Sequence, residues 1–204
     1  MKNTILAMRS IVLIAAAAVC VLTACGSSPQ QQGEVERPLD LNFTSIALRH
    51  QASQTAVADR VADAPGGGEA FFISDAKTRL ETGTYEIFFS MSRPIDIRAY
   101  DYIVFDMMVD NIDLLYNIQG FFPRLFARGE TWVQFGNSQA FHAGAANAAE
   151  GEWFTVRAPI QTAQANVDNF RAVKSNFLAV LIRLICDDMD PIDGNIYFRN
   201  FQVE

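Results

Sequence analysis

The sequence, 204 residues long, predicts an all-β fold, a β-sandwich or barrel of about nine strands. Segments rich in β-branched and aromatic residues recur along the chain, and turns containing Gly, Pro or Asn separate them. The 16 phenylalanines suit a β-rich core. Long helical segments do not alternate with these strands, which argues against a parallel α/β sheet.

The clearest predicted strand is Tyr102–Val109, in which nearly every residue is apolar. The stretch 47–62 is rich in Ala and Gln and is interpreted as a short helix or an irregular segment. Pro65 and the three glycines after it then break the chain. The remaining predicted strands are 69–74, 83–91, 114–118, 120–127, 131–135, 153–158, 178–186 and 195–203.

The N-terminus has the order of an export signal. Lys2 and Arg9 give a short positive region, and the apolar run 11–22 follows it. The run is shorter than the ~20 apolar residues of a spanning helix. It ends in Leu-Thr-Ala-Cys at 22–25, which resembles the lipobox of bacterial lipoproteins. We therefore expect lipidation of Cys25, where two or three acyl chains give stable anchoring.

The predicted organisation is a signal peptide at 1–24, a flexible linker at 25–40 and a β-sandwich domain at 41–204. The predicted location is the bacterial cell envelope, at the outer membrane or cell surface if the host has two membranes. Removing the two basic signal residues leaves 14 Lys and Arg against 23 Asp and Glu, a net charge of −9. Such a charge argues against nucleic-acid binding.

Cysteine usage points to anchoring. Cys20 lies in the signal, so a lipidated Cys25 leaves Cys186 as the last thiol of the mature chain. Cys186 ends the apolar run 181–186, where we expect a buried, inert thiol. No intrachain disulfide is expected.

Three segments resemble the β-jelly roll of galactose-binding-like domains and carbohydrate-binding modules. They are PIDIRAYDYIVFDMMVDN (94–111), EWFTVRAPI (152–160) and GNIYFRNFQV (194–203). The resemblance covers about residues 69–204 and implies an antiparallel jelly-roll sandwich that binds carbohydrate without cleaving it. The family often has Asp, commonly a ligand of a structural calcium ion, where this chain has Arg199. Arginine cannot ligate calcium, so no metal or other cofactor is predicted.

Candidate ligand-binding residues surround Trp132. Trp132 and Gln134 point to one face if 131–135 is a strand. Arg124 and Asn137 lie nearby in sequence, and Tyr116 is predicted on the adjacent strand. An aromatic ring can support the CH groups of a sugar, and planar polar groups can bind its hydroxyls. The alternative is a solvated face that carries one large aromatic.

Other candidate residues have plainer interpretations. Trp153 is predicted to pack rather than bind ligand. His50 and His142 lack the spacing of a zinc site and are interpreted as surface residues. The acidic stretch 187–194 does not match a calcium loop and is interpreted as a solvated turn.

Three functions remain open at this stage. The first is a lipid-anchored protein that binds carbohydrate without catalysis. The second is an anchored structural protein that binds an envelope protein partner. The third is a polysaccharide hydrolase, for which Glu81 with Glu86, or Asp106 with Asp110, would have to face each other across a cleft.

Overall fold

The computed structural model describes residues 38–50, 56–75, 83–127, 131–135, 138–160, 167–186 and 194–204. The predicted signal peptide, Cys25 and the predicted linker up to residue 37 lie outside these ranges. Asn137 and the acidic stretch up to residue 193 also lie outside them.

The described part of the chain contains eleven strands and three short helices. Eight of the predicted segments are confirmed as strands. The strands are β1 (Leu39–Asp40), β2 (Ser45–His50), β3 (Ala56–Val61), β4 (Ala70–Asp75), β5 (Gly83–Ile95), β6 (Tyr102–Val109), β7 (Ile118–Ala127), β8 (Trp132–Gln134), β9 (Phe154–Pro159), β10 (Phe177–Cys186) and β11 (Ile196–Val203). The helices are α1 (Asp113–Asn117), α2 (Ser138–Ala145) and α3 (Val167–Ser175).

The strands form two antiparallel sheets. The six-stranded sheet has the order β3-β4-β11-β6-β9, with β1 paired to one end of β11. The five-stranded sheet has the order β2-β5-β10-β7-β8. Strands β4 to β7 alternate between the two sheets, and strands β9 to β11 do the same. The predicted antiparallel jelly-roll sandwich is confirmed.

The core between the sheets is rich in phenylalanine, as predicted. Phe89 of β5 is fully buried at its centre. Its ring centroid lies 4.9 Å from that of Phe201, 5.4 Å from Phe198, 5.5 Å from Phe71 and 5.8 Å from Phe43. Each such pair adds ~0.5–1.5 kcal/mol beyond its buried area, so these rings hold the sheets together.

The interpretation of 47–62 as a helix or irregular segment is wrong. Its described residues lie in β2 and β3, and β1 adds Leu39 and Asp40 to the sheet before the predicted start of the domain. In β2, Ile46 and Leu48 alternate and pack against the core while the strand pairs with β5. Pairing with an existing sheet outweighs the helix propensity of alanine and glutamine.

The predicted strand 114–118 is also wrong, because most of it forms helix α1. The side chain of Asn111 accepts a hydrogen bond from the backbone N–H of Asp113 at 3.0 Å, which supports the turn that starts the helix. Leu114 and Leu115 are adjacent and both buried, which a strand with alternating faces would not allow. Tyr116 therefore lies in a helix and not on a strand beside β8.

Helices α2 and α3 were not predicted. Gly144 of α2 lies against β9, where an added Cβ would stand 2.5 Å from the carbonyl oxygen of Thr155. In α3, the buried Lys174 donates a hydrogen bond from Nζ to the carbonyl oxygen of Tyr100 at 2.7 Å. Burial lowers the pKa of Lys174 below its usual 10.5. No helix in the described ranges is long and apolar enough to cross a membrane.

Candidate binding face

The five-stranded sheet has one face toward the core and one away from it. On β5, Tyr85, Ile87 and Phe89 are fully buried in the core, and Glu86 and Phe88 alternate with them. Paired residues of neighbouring strands share a face, so the register extends this alternation to the whole sheet. The side chains facing away form what we call the outer face: Ser45, Ala47, Glu86, Phe88, Ser90, Arg124, Phe126, Trp132, Gln134, Ala179, Leu181 and Arg183.

Two rows of paired residues cross all five strands of the outer face. One row is Ser45, Ser90, Ala179, Phe126 and Trp132. The parallel row, two residues along each strand, is Ala47, Phe88, Leu181, Arg124 and Gln134. At ~4.8 Å per strand each row spans ~19 Å. The outer face is therefore wide enough for an extended ligand.

The middle of the outer face is apolar and separate from the main core. Phe126, Ala179 and Leu181 are buried there, and Phe88 packs against them. The rings of Phe88 and Phe126 meet edge to face, with centroids 5.0 Å apart. These side chains form a packed apolar cluster next to strand β8, which carries Trp132.

Trp132 is the exposed aromatic of this face. Its exposed fraction is 48%, the largest among the exposed large apolar side chains of the described residues. Its ring lies beside that of Phe126, with centroids 6.4 Å apart and planes at 29°. The guanidinium carbon of Arg124 lies 4.5 Å from the Trp132 ring centroid, a cation–π contact. Both neighbours fix the ring while leaving about half of its surface free.

Charged side chains lie next to this aromatic edge. Arg124 donates a hydrogen bond from Nη1 to Oε1 of Glu86 at 3.3 Å. Arg183 pairs with Glu86 across the strands, its Nε 3.9 Å from the same oxygen. The Nε atoms of both arginines are buried and have no hydrogen-bond partner in the described part of the chain. One carboxylate is thus shared by two guanidinium groups.

Three of the five predicted ligand-binding residues come together on the outer face. Trp132 and Gln134 share a side of β8, and Arg124 is paired with Gln134 on β7. Tyr116 lies in helix α1, which contradicts the predicted adjacent strand. Asn137 lies outside the described residues.

The sequence interpretation missed Phe88, Phe126 and Arg183, and it considered Glu86 only as half of a catalytic pair. A signal was present, because Glu86 and Arg183 are charges with apolar residues on both sides of them in their strands. Such a charge indicates the side of a strand that faces away from the core. The pairing of Arg183 with Glu86 depends on strand register, which nothing local in the sequence reveals.

A cleft of about 830 Å³ lies on the other sheet, and several of its polar groups bind one another. Arg60 forms a 2.6 Å ion pair with Glu69 and donates a 2.7 Å hydrogen bond to the Phe43 carbonyl oxygen. The Asp106 carboxylate accepts hydrogen bonds from Thr155 and Asn200, both at 2.8 Å. The aromatic side chains that line this cleft are buried, so the outer face with its exposed Trp132 is the better candidate site.

Arg199 and Trp153 close a loop beside this cleft. The Arg199 guanidinium carbon lies 3.8 Å from the Trp153 ring centroid, and its Nη1 donates to the Gly67 carbonyl oxygen at 3.0 Å. Trp153 donates from Nε1 to the Pro65 carbonyl oxygen at 2.8 Å. Trp153 is half-buried and has the packing role that the sequence predicts. A guanidinium that donates to a loop carbonyl does not fit a calcium site.

His142 and Asp110 lie outside the strands that form the outer face. His142 is exposed on α2, and in the described ranges no three His, Cys, Asp or Glu side chains are grouped to hold a metal ion. Asp110 accepts hydrogen bonds from the backbone N–H and side-chain amide of Asn195, both at 2.5 Å. The side chains of His50 and Cys186 lie outside the described part, as does Glu81.

Proteins similar to this chain are found among solved structures. No protein-family model and no curated protein matches the sequence. Among solved structures, a family 27 carbohydrate-binding module of Caldicellulosiruptor saccharolyticus in complex with mannohexaose is similar. It is 14% identical with a TM-score of 0.49, and the match covers 83% of this chain and 97% of the module.

Two further structures are similar to a comparable degree. A family 11 carbohydrate-binding module from Clostridium thermocellum, in complex with a β-1,3-1,4-mixed-linked tetrasaccharide, is 10% identical with a TM-score of 0.41, covering 81% of this chain and 94% of the module. An exo-β-agarase is 9% identical with a TM-score of 0.48; the match covers 81% of this chain but 23% of the agarase. Similarity at this level carries no argument about function, which rests on the outer face itself.

Proposed function

We propose that the outer face binds carbohydrate without cleaving it, and that a lipid on Cys25 anchors the protein in the bacterial cell envelope. The observation that carries the proposal is Trp132, exposed at the edge of the sheet and fixed beside Arg124 and Gln134. A sugar ring can lie against the indole while its hydroxyls bind the guanidinium and amide groups. Ligand sites combine an apolar surface with a few well-placed polar groups in this way.

Hydrolysis and partner binding find less support. Most glycosidases need two carboxyl groups ~5–9.5 Å apart. Among the described residues of the outer face, Glu86 is the single carboxylate, and two arginines share it. A protein partner would be favoured by a broad exposed apolar patch, but Phe126 and Leu181 of the outer face are buried and Phe88 is half-buried.

The binding proposal is tested with Trp132→Ala on a glycan array and in affinity gels. Truncating a tryptophan at the centre of a binding site typically costs about 2 kcal/mol or more, a roughly thirtyfold weaker affinity. We therefore expect glycan retention to be lost while the melting temperature stays within a few degrees. Val57→Ala is the matched control, because Val57 is exposed to a similar extent, 47%, on the other sheet.

Retention of no glycan by the wild-type protein, or equal retention by Trp132→Ala, would contradict the binding proposal. Stoichiometric recovery of one envelope protein, together with an empty glycan array, would instead support the role in binding a protein partner.

The anchoring proposal is tested by labelling cells with a radioactive fatty acid. Cys25→Ser removes the thiol that takes the diacylglyceryl group, so we expect loss of both the label and membrane retention. Cys20→Ser is the control, since this second cysteine lies inside the predicted signal. Persistence of the label in Cys25→Ser would refute lipidation at this residue.

A further inference from the structure

The outer face carries more positive than negative charge in its described part. Its charged side chains there are Glu86, Arg124 and Arg183. The chain as a whole has a net charge of −7, whereas these three side chains carry two positive charges and one negative charge. A local excess of positive charge on an acidic protein indicates a site that receives negative charge.

The one carboxylate among the described residues of the outer face makes only long contacts with both guanidinium groups. A forked arginine–carboxylate pair has two parallel hydrogen bonds of ~2.7–2.9 Å. On the outer face the contacts with Glu86 are 3.3 Å from Arg124 and 3.9 Å from Arg183. Each guanidinium has five N–H donors, so most of these donors are free of Glu86.

Another arginine of the same chain shows what a satisfied pair looks like. Arg98 makes three side-chain hydrogen bonds to the Asp96 carboxylate, at 2.6, 3.0 and 3.0 Å. Yet Arg98 is a surface side chain, 59% exposed, where pairing brings little stability. Arg124, at 15% exposure, is far less hydrated and less well paired. A weakly paired and partly dehydrated cation is costly, and an anionic ligand would relieve that cost.

The positions of the charges suit a chain of sugars rather than a single one. Arg124 lies directly beside Trp132. Arg183 lies one strand further from the edge and four residues along β10 from Ala179, which is in the Trp132 row. The spacing of strands and residues puts Arg183 on the order of 16 Å from Trp132. An oligosaccharide can reach both.

We propose that the glycan bound on the outer face is acidic, with carboxylate or sulfate groups that bind Arg124 and Arg183 while a sugar ring lies against Trp132. This inference rests on the proposed carbohydrate binding and gives the class of carbohydrate. In the free protein, Glu86 holds the two guanidinium groups in place. When the glycan binds, its acidic groups replace Glu86 as the partners of these guanidinium groups.

The test compares polymers that differ in charge alone. Affinity gels containing polygalacturonate or its methyl ester, and dextran sulfate or dextran, are run with the wild-type protein. We expect at least one acidic polymer to bind about tenfold or more tightly than its neutral counterpart. The carboxylate and sulfate arms distinguish the two sources of negative charge.

Variants then locate the effect on the outer face. We expect Arg183→Gln and Arg124→Gln to weaken binding of the acidic polymer about tenfold, and Glu86→Gln to strengthen it by removing the competing carboxylate. Arg98→Gln and Glu152→Gln are matched controls, since each makes the same change in net charge at an exposed position elsewhere. We expect Trp132→Ala to abolish binding, because it removes the aromatic ring against which the sugar lies.

The outcomes separate this inference from the function on which it rests. Equal binding of the acidic and neutral polymers, or of a neutral glycan alone, would overturn the acidic ligand and leave carbohydrate binding intact. Acidic binding that survives Trp132→Ala or falls equally in Arg98→Gln would also overturn it, as general ion exchange. If no glycan binds at all, the proposed function itself fails.

Discussion

An arginine lies over a tryptophan ring at two places in this molecule, and the surroundings of the two pairs are opposite. Arg199 lies 3.8 Å from the Trp153 ring, and both residues also bind backbone carbonyls of the loop 65–67. Arg124 lies 4.5 Å from the Trp132 ring, yet half of that ring is exposed and the guanidinium has one distant carboxylate partner.

The difference teaches that the pair of residue types does not determine its role. The Trp153 pair binds two backbone carbonyls and thereby holds a glycine-rich turn in place. The Trp132 pair leaves about half of its ring surface exposed, although the Nε atoms of Arg124 and Arg199 are equally buried and without a hydrogen-bond partner in the described residues. An exposed aromatic surface indicates a binding site, and an indole bonded to a loop indicates a structural contact.

The largest expected effect on stability comes from breaking the structural pair. Trp153→Ala removes a half-buried ring, its hydrogen bond to Pro65 and the support for Arg199, so we expect the free energy of unfolding to fall by about 3 kcal/mol. Trp132→Ala changes an exposed edge and is expected to change the free energy of unfolding by about 0.5 kcal/mol. Urea denaturation measures both.

Binding assays on the same two variants should give the reverse order of effects. Trp153→Ala keeps its glycan binding as long as it is folded, whereas Trp132→Ala keeps its fold and loses binding. Arg199→Met, which retains the length of the side chain, is a milder test of the same loop contact. The comparison would be contradicted if Trp153→Ala were as stable as wild type, or if Trp132→Ala were less stable than Trp153→Ala.

The smallest expected effect is a change of stability with pH, which comes from Lys174 and not from the two arginine–tryptophan pairs. Burial lowers the pKa of Lys174 below 10.5, although Asp101 and Asp96 oppose the shift. Between the lowered pKa and 10.5 the unfolded chain holds a proton that the folded chain has released, so the contribution of Lys174 to stability rises with pH.

Denaturation of wild type and Lys174→Met at several alkaline pH values checks this. The stability of wild type relative to the variant should increase toward pH 10.5, while glycan binding by the wild-type protein does not follow that increase. A relative stability that decreases over the same range would mean that the pKa of Lys174 is raised rather than lowered.

Much of the fold was predictable from local sequence, and the failures have identifiable causes. Strand β6 was predicted at its observed bounds, because a run of apolar residues with turns on both sides has few alternatives. Strands β2 and β3 were missed because alanine-rich segments take their structure from the strands they pair with. Helix α1 was missed because five residues with two adjacent leucines look the same as a short buried strand.

The candidate site was predictable only in part. Trp132, Gln134 and Arg124 were found because they are close in sequence, on β8 and the strand before it. Glu86, Phe88 and Arg183 come from strands far along the chain, and only the register of β10 brings them beside the others. Such contacts between distant segments are a property of the sheet and not of any one segment.

Strand β8, which carries Trp132, has three residues and pairs with β7 at the edge of the five-stranded sheet as far as the chain is described. So few backbone pairs let it open locally without unfolding the rest of the sheet. Ligand binding is then coupled to the closing of this strand, because a bound glycan needs Trp132 in its closed position. A bound glycan should slow amide hydrogen exchange at Val133 before it changes the exchange of β10, and its residence time should depend on how often this strand opens.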